Sequence, residues 1–169
     1  LDVLRKHFLL NLIGILGAIF LGSFSVIAMI QGEFTLALAD LTLLLCVVSL
    51  VVRLRLHKNP QSIALFGTLV TGSFYLFLVS YSGLEKPTYL WSLTYPLISL
   101  YLLGRKLGSF ISFLLLGTCC LSFWLAPHFD IFQQYESRLI IRFISVYLLI
   151  QFFAFVAEII HDMTQKRLE

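Results

Sequence analysis

Long apolar runs separated by short polar segments fill the chain, and this pattern predicts membrane-spanning helices. A span needs about 20 predominantly apolar residues, and six runs reach or approach that length. The predicted spans cover residues 8–30, 36–52, 63–81, 89–103, 107–126 and 139–160. The fourth is short and contains Pro96, so we expect a kinked helix that packs against protein rather than lipid.

The predicted fold is an all-α membrane protein, in which residues 1–160 form a six-transmembrane-helix bundle. No Pro or Gly separates the last span from the charged residues 161–169, so one continuous rod is expected to leave the bilayer. We interpret residues 161–169 as the start of a cytoplasmic coiled-coil linker to an output domain after Glu169. The chain would then be the membrane-embedded input part of a larger signalling protein.

Composition excludes a soluble domain of this size. The 169 residues are 59% hydrophobic and 12% charged, with a mean hydropathy of +0.94, whereas about 25% of an average soluble chain is charged. The three cysteines lie inside apolar runs without disulfide or metal-ligand spacing, and no catalytic, haem, retinal or nucleotide motif is present. The sequence therefore predicts no metal, no cofactor and no catalysis, and the net charge of +3 does not indicate nucleic acid binding.

The basic residues predict the orientation of the spans. One side carries nine of the twelve Lys and Arg residues, namely Arg5, Lys6, Arg53, Arg55, Lys58, Arg105, Lys106, Lys166 and Arg167. The other side carries Lys86, Arg138 and Arg142, together with Glu33, Glu85, Asp130 and Glu136. Cytoplasmic loops are enriched in Lys and Arg, so six spans would place both termini in the cytoplasm.

Polar and aromatic residues gather at one depth in the outer half of the predicted bundle and suggest a ligand cavity. Its candidate lining is Asp40, Tyr81, Tyr89, Trp91, Tyr95, Arg138 and Arg142. Aromatic walls suit an apolar body, and a guanidinium suits a carboxylate, phosphate or carbonyl. A pair between Asp40 and Arg142 would lower the cost of burying each charge. Alternatively, both arginines snorkel to headgroups and the aromatics form an interfacial belt.

Two stripes with heptad spacing run along the sixth span. The polar stripe is Tyr147, Gln151, Ala154, Glu158, His161, Gln165 and Leu168, and the apolar stripe is Phe152, Val156, Ile159, Met163 and Lys166. Either stripe could join two sixth helices as a parallel homodimer, or the polar stripe could face its own bundle. The residues expected to transmit a signal are Tyr147, Gln151, Glu158, His161 and Asp162.

A small-residue stripe, Gly14, Ala18 and Gly22, would let another helix approach the first span closely. We favour packing within the chain over a dimer contact at this stripe.

The fourth and fifth spans carry a recognisable motif. It consists of Trp91, Tyr95-Pro96 and the Gly-basic-Gly turn from Gly104 to Gly108. This resembles the membrane sensor regions, of the MASE type, that precede GGDEF domains in bacterial diguanylate cyclases. The resemblance implies a sensor in the bacterial inner membrane, a homodimer, and a cytoplasmic output domain that is a diguanylate cyclase, histidine kinase or adenylyl cyclase.

The functional expectation is a transmembrane input domain, most simply that of a diguanylate cyclase. It would sense a small amphipathic or lipophilic ligand, or the state of the bilayer, and relay it through the sixth helix of a dimer. The alternative is the substrate-binding membrane subunit of a vitamin-type importer, which would not need a charged helical exit. The reading frame after Glu169 would discriminate the two.

Overall fold

The structure is a computed structural model that describes residues 2–56, 60–81, 88–129 and 132–168. These residues form six α-helices: α1 Asp2–Ile30, α2 Phe34–Leu56, α3 Pro60–Ser80, α4 Tyr95–Leu103, α5 Arg105–Leu125 and α6 Ser137–Leu168. Two 3-10 helices, Thr88–Thr94 and Ala126–His128, precede α4 and follow α5. The chain divides into two units, Leu1–Phe74 and Tyr75–Glu169.

Several residues used in the predictions of topology and signal transmission fall outside this description. Their backbone or side chains are not described: Arg5, Lys6, Lys58, Glu85, Lys86, Asp130, Asp162, Lys166 and Arg167.

In the first unit, α1 and α2 form a tightly packed helical hairpin. Gly32 makes the turn with a φ of 81°, a conformation that costs glycine little. A Cβ added at Gly14 would lie 2.5 Å from Cγ2 of Val51, and one at Gly22 would lie 3.9 Å from Cδ2 of Leu44. The small-residue stripe of α1 therefore packs against α2, which agrees with the prediction of a contact within the chain.

Five helices are long and apolar enough to cross a membrane among the described residues, and α4 is not one of them. The short, kinked helix predicted over residues 89–103 consists of two consecutive elements of different helix type, and whether it crosses the membrane stays a prediction. Its first part is the 3-10 helix Thr88–Thr94, here called the 3-10 segment, and α4 begins only at Tyr95. Pro96 lies in the first turn of α4, where its missing N–H would have no helical partner in any case.

Hydrogen bonds define one end of the second unit, which is here called the Ser80 end. At the Ser80 end, the Ser80 hydroxyl donates to Oγ of Ser122 at 2.9 Å, and the Tyr135 hydroxyl donates to the Val79 carbonyl at 3.0 Å. Gln133 N–H also donates to the Ser80 carbonyl at 2.8 Å. The end of α3, the end of α5 and the chain that enters α6 therefore meet at this end.

The opposite, Gly104 end is formed where α4 turns into α5. The turn consists of Gly104 alone, with a φ of 78°, and the Arg105 guanidinium lies 6.0 Å from the centre of the Phe155 ring of α6. Helix α6 continues past this point to Leu168 without a break, and residues 156–168 rise about 20 Å at 1.5 Å per residue. The helix is unbroken from Ser137 to Leu168, whereas its exit from the bilayer and its position in the cytoplasm stay predictions.

Candidate functional site

A cleft of about 390 Å³ lies between the 3-10 segment and the first three turns of α6. The 3-10 segment supplies one wall and α6 the other. The lining is Tyr89, Leu90, Leu93, Glu136, Arg138, Leu139, Arg142, Phe143 and Val146. Three of the seven predicted ligand-binding residues, Tyr89, Arg138 and Arg142, therefore meet at one cleft, although ligand binding itself stays a prediction.

The charged lining residues all belong to the start of α6 or to the residue before it. Arg138 and Arg142 are one helical turn apart, so their side chains leave the same face of α6. Both are exposed, and neither has an ion-pair or hydrogen-bond partner among the described residues. Glu136 precedes the helix and is also exposed. The cleft thus combines one carboxylate with two cations that pair with no residue in the described part of the chain.

Four aromatic rings hold the 3-10 segment against α5 and α6. Tyr89 meets Tyr135 at 5.5 Å and Phe143 at 6.1 Å between ring centres. Phe123 closes the cycle, at 5.4 Å from Tyr135 and 5.6 Å from Phe143. All four contacts are edge-to-face, the arrangement that aromatic quadrupoles favour. Tyr89 and Phe143 thereby provide a fixed aromatic floor for the cleft.

Tyr135 connects this ring cluster to the end of α3. Burial, followed by the nearby Tyr89, raises the pKa of Tyr135 to about 12. The phenol therefore stays protonated at neutral pH and can donate its hydrogen bond to the Val79 carbonyl. Because Tyr135 stands two residues before α6, this bond fixes the point at which the helix begins.

Four predicted ligand-binding residues do not line the cleft. Tyr95 is 1% exposed and packs edge-to-face on Tyr75 at 6.0 Å. Tyr81 stacks on Phe77 at 5.2 Å, and Trp91 is 45% exposed on the 3-10 segment. Asp40 is buried in α2 of the first unit, so its pairing with Arg142, in the second unit, stays a prediction.

Sequence reasoning missed most of the apolar lining and the presence of Glu136 in the cleft. Leu90 and Leu93 were assigned only to a span, and Leu139, Phe143 and Val146 only to the sixth helix. The helical periodicity of α6 could have predicted Phe143 and Val146 as lining residues. Val146 follows Arg142 by four residues, and Phe143 follows Leu139 by four residues. Glu136 was counted only as an outside charge, and its place beside the arginines depends on where α6 begins.

The described part of the polar stripe of α6, Tyr147 to His161, is buried or half-buried. Tyr147, Gln151 and Glu158 are each less than 5% exposed, and His161 is half-buried. The Tyr147 hydroxyl donates to the Ser112 carbonyl at 2.9 Å, and the Ser112 hydroxyl donates to Oε1 of Gln151 at 2.6 Å. Four of the five predicted signal-transmitting residues therefore lie along the buried or half-buried face, and the side chain of Asp162 is outside the described residues.

The apolar stripe of α6 is open instead. Phe152 is 60% exposed and Met163 is 52% exposed, while Val156 and Ile159 are half-buried. Among the described side chains, the chain itself covers the polar stripe from Tyr147 to Glu158, whereas a partner helix could reach Phe152 and Met163 of the apolar stripe.

The MASE6 family model matches residues 2–168 of the chain, which is nearly its whole length. No match was found among curated proteins or among solved structures.

Proposed function

We propose that this chain, which belongs to the MASE6 family of membrane-associated sensor domains, is the input domain of a signalling protein in the bacterial inner membrane. A sensor domain of this kind is not itself catalytic, so the output belongs to a separate domain. A diguanylate cyclase is the output that the Gly104–Gly108 motif favours. The family gives no support to the importer alternative.

The path of the 3-10 segment and α4, from one end of the second unit to the other, favours six membrane crossings. The segment starts at the Ser80 end, where the Thr88 hydroxyl donates to the Leu78 carbonyl at 3.3 Å. Helix α4 finishes at Gly104, the opposite end of the unit. Together the two elements rise about 27 Å, close to the hydrocarbon core of about 30 Å. We therefore count this composite as a fourth crossing beside the five long helices.

The basic residues favour a cytoplasmic Gly104 end. Arg105 and Lys106 begin α5 there. Lys and Arg are enriched on the cytoplasmic side. With six crossings, the cleft then opens near the outer surface, and both termini lie in the cytoplasm.

The observation that carries the proposal is the continuity of α6. Its first turns line the cleft, its middle turns are tied to α5 through Ser112, and its last turns extend about 20 Å past the Gly104 end. A ligand that binds one position of α6 better than another would shift the whole rod. In a homodimer joined along the apolar stripe, that shift would change the spacing of two output domains.

A fusion of residues 1–169 to a diguanylate cyclase domain tests this proposal. Cyclic di-GMP would be measured in cells that express the fusion or its variants. We expect the double variant Arg138→Ala/Arg142→Ala to change the output, while Arg53→Ala, which removes an exposed cation of α2, leaves it unchanged. Equal output from all three proteins at equal membrane expression would argue against a sensory role for the cleft.

A further inference from the structure

We propose that the cleft between the 3-10 segment and α6 binds a single-chain amphiphile with a monoanionic head, which enters from the lipid. This inference rests on the proposed function for its role as the signal. To the proposed function it adds the chemical class of the ligand and the direction in which the ligand lies along α6. It also assigns Glu136 as a residue that determines specificity.

The cleft has a polar end and an apolar end. Arg138, Arg142 and Val146 follow one another at intervals of four residues, so they lie along one face of α6. The first two are cationic and the third is apolar, and the distance from first to third is about 12 Å along the helix axis. Phe143 and Leu93 line the same cleft. An anionic head would lie at the start of α6, with its chain directed toward the middle of the span.

The charges favour one negative charge on the ligand. Two guanidiniums and the Glu136 carboxylate leave a net charge of +1 in the lining, and no described residue pairs with either arginine. The N-terminal end of α6 adds a partial positive charge at the same place. A carboxylate would balance this lining, whereas the second charge of a phosphate monoester would meet Glu136.

The cleft is open to the bilayer and small. Leu90 is 48% exposed and Val146 is 40% exposed, so an acyl chain could enter sideways without crossing water. Its volume of about 390 Å³ is near the lower limit of ligand pockets, which measure about 300–1,000 Å³. A head and the first part of one chain fit this space better than a two-chain lipid.

Trp91 provides the reporter for a direct binding test. The chain has two tryptophans, so Trp124→Phe leaves Trp91, which lies between the lining residues Leu90 and Leu93, as the only one. The protein would be placed in nanodiscs of phosphatidylcholine, and quenching of its fluorescence by brominated dodecanoate would be titrated. We expect saturable quenching, weakened about tenfold or more by Arg142→Ala, since hydrogen bonds to charged groups are the strong ones. Arg53→Ala should leave the titration unchanged.

Competition with further amphiphiles identifies the charge of the preferred head group and distinguishes a single-chain ligand from a two-chain lipid. Unlabelled dodecanoate should displace the brominated probe better than dodecanol or dodecyl phosphate, and Glu136→Gln should improve displacement by dodecyl phosphate several-fold. Equal affinity for dodecanoate and dodecanol, or quenching that never saturates, would overturn the proposal. So would loss of quenching in discs that contain phosphatidylglycerol, because a two-chain lipid would then occupy the site. Any of these results could coexist with altered output from the Arg138→Ala/Arg142→Ala fusion, so this ligand class can fail while the sensory role stands.

Discussion

Two glycines of the Gly-basic-Gly turn show how single residues set the geometry of the second unit. Gly104 has a φ of 78° and a ψ of 174°, a region that is essentially restricted to glycine. A Cβ at Gly108 would lie 2.7 Å from Cα of Leu100 and would also meet the Ser99 carbonyl oxygen. Gly104 permits the reversal between α4 and α5, and Gly108 permits their close contact. The sequence motif is thus explained by backbone geometry.

Replacing Gly108 by alanine should separate α4 from α5. The contacted atoms belong to the backbone, which cannot rotate away, so we expect a loss of about 1–3 kcal/mol in the free energy of unfolding. Thermal unfolding in nanodiscs would measure it. Gly117→Ala is the matched control on the same helix, because nothing lies within 4 Å of a Cβ there. It should be neutral or slightly stabilising, and equal losses in both variants would contradict the close-contact explanation.

Tyr135→Phe should weaken the anchor at the start of α6. The lost hydrogen bond to the Val79 carbonyl is worth roughly 1 kcal/mol. The pKa of Tyr135 is raised from 10.0 to about 12, so the unfolded chain loses this proton first as the pH rises. The stability difference between the native protein and Tyr135→Phe should therefore be constant below pH 10 and shrink between pH 10 and 12.

Thermal unfolding as a function of pH would measure that difference. Tyr101→Phe serves as a control for the general loss of a phenol. A stability advantage of the native protein over Tyr135→Phe that increases above pH 10 would contradict the raised pKa of Tyr135.

At the scale of elements, the sequence predicted the five long helices but not the 3-10 form of the residues before α4. Apolar run length and the absence of Pro and Gly from 139–168 were enough to predict α6, because a helix continues wherever nothing interrupts its hydrogen bonds. Run length could not show that residues 88–94 adopt a 3-10 helix. That choice depends on tertiary contacts, such as the 2.9 Å hydrogen bond between the Tyr75 and Thr94 hydroxyl groups.

The rotational position of α6 where it leaves the membrane should control the activity of the attached output domain. Each inserted residue rotates the attached output domain by about 100° around the helix axis, whereas seven residues make almost two full turns. In the cyclase fusion, inserting two helix-forming residues after Leu168 should change cyclic di-GMP synthesis strongly. Inserting seven should change it little. Equal output from both insertions would mean that the exit acts as a flexible tether rather than as a rigid rod.

At the scale of the whole molecule, the sequence predicted the class of protein better than the binding site. Hydropathy and the Gly104–Gly108 motif led to a membrane sensor domain, and the match over residues 2–168 confirms that class. Of the nine residues that line the cleft, three are among the predicted ligand-binding residues. Depth along a span placed Tyr89, Arg138 and Arg142 together, but depth does not say which face of a helix a residue occupies. Tyr95 thus had the expected depth and yet is buried.

The central claim is that occupation of the cleft moves α6 relative to the Gly104 end. Spin labels on cysteines introduced at Lys106 and Thr164, both exposed, would report the distance between α5 and the exit of α6 after Cys46, Cys119 and Cys120 are replaced by alanine. Val146→Trp fills the cleft without any ligand, and Leu148→Trp places the same bulk on an exposed face of α6 that does not line it. We expect Val146→Trp to shift the distance distribution by about 1–2 Å, the size of typical switching movements of helices, and Leu148→Trp to leave it unchanged. Identical distributions in both variants would contradict the account.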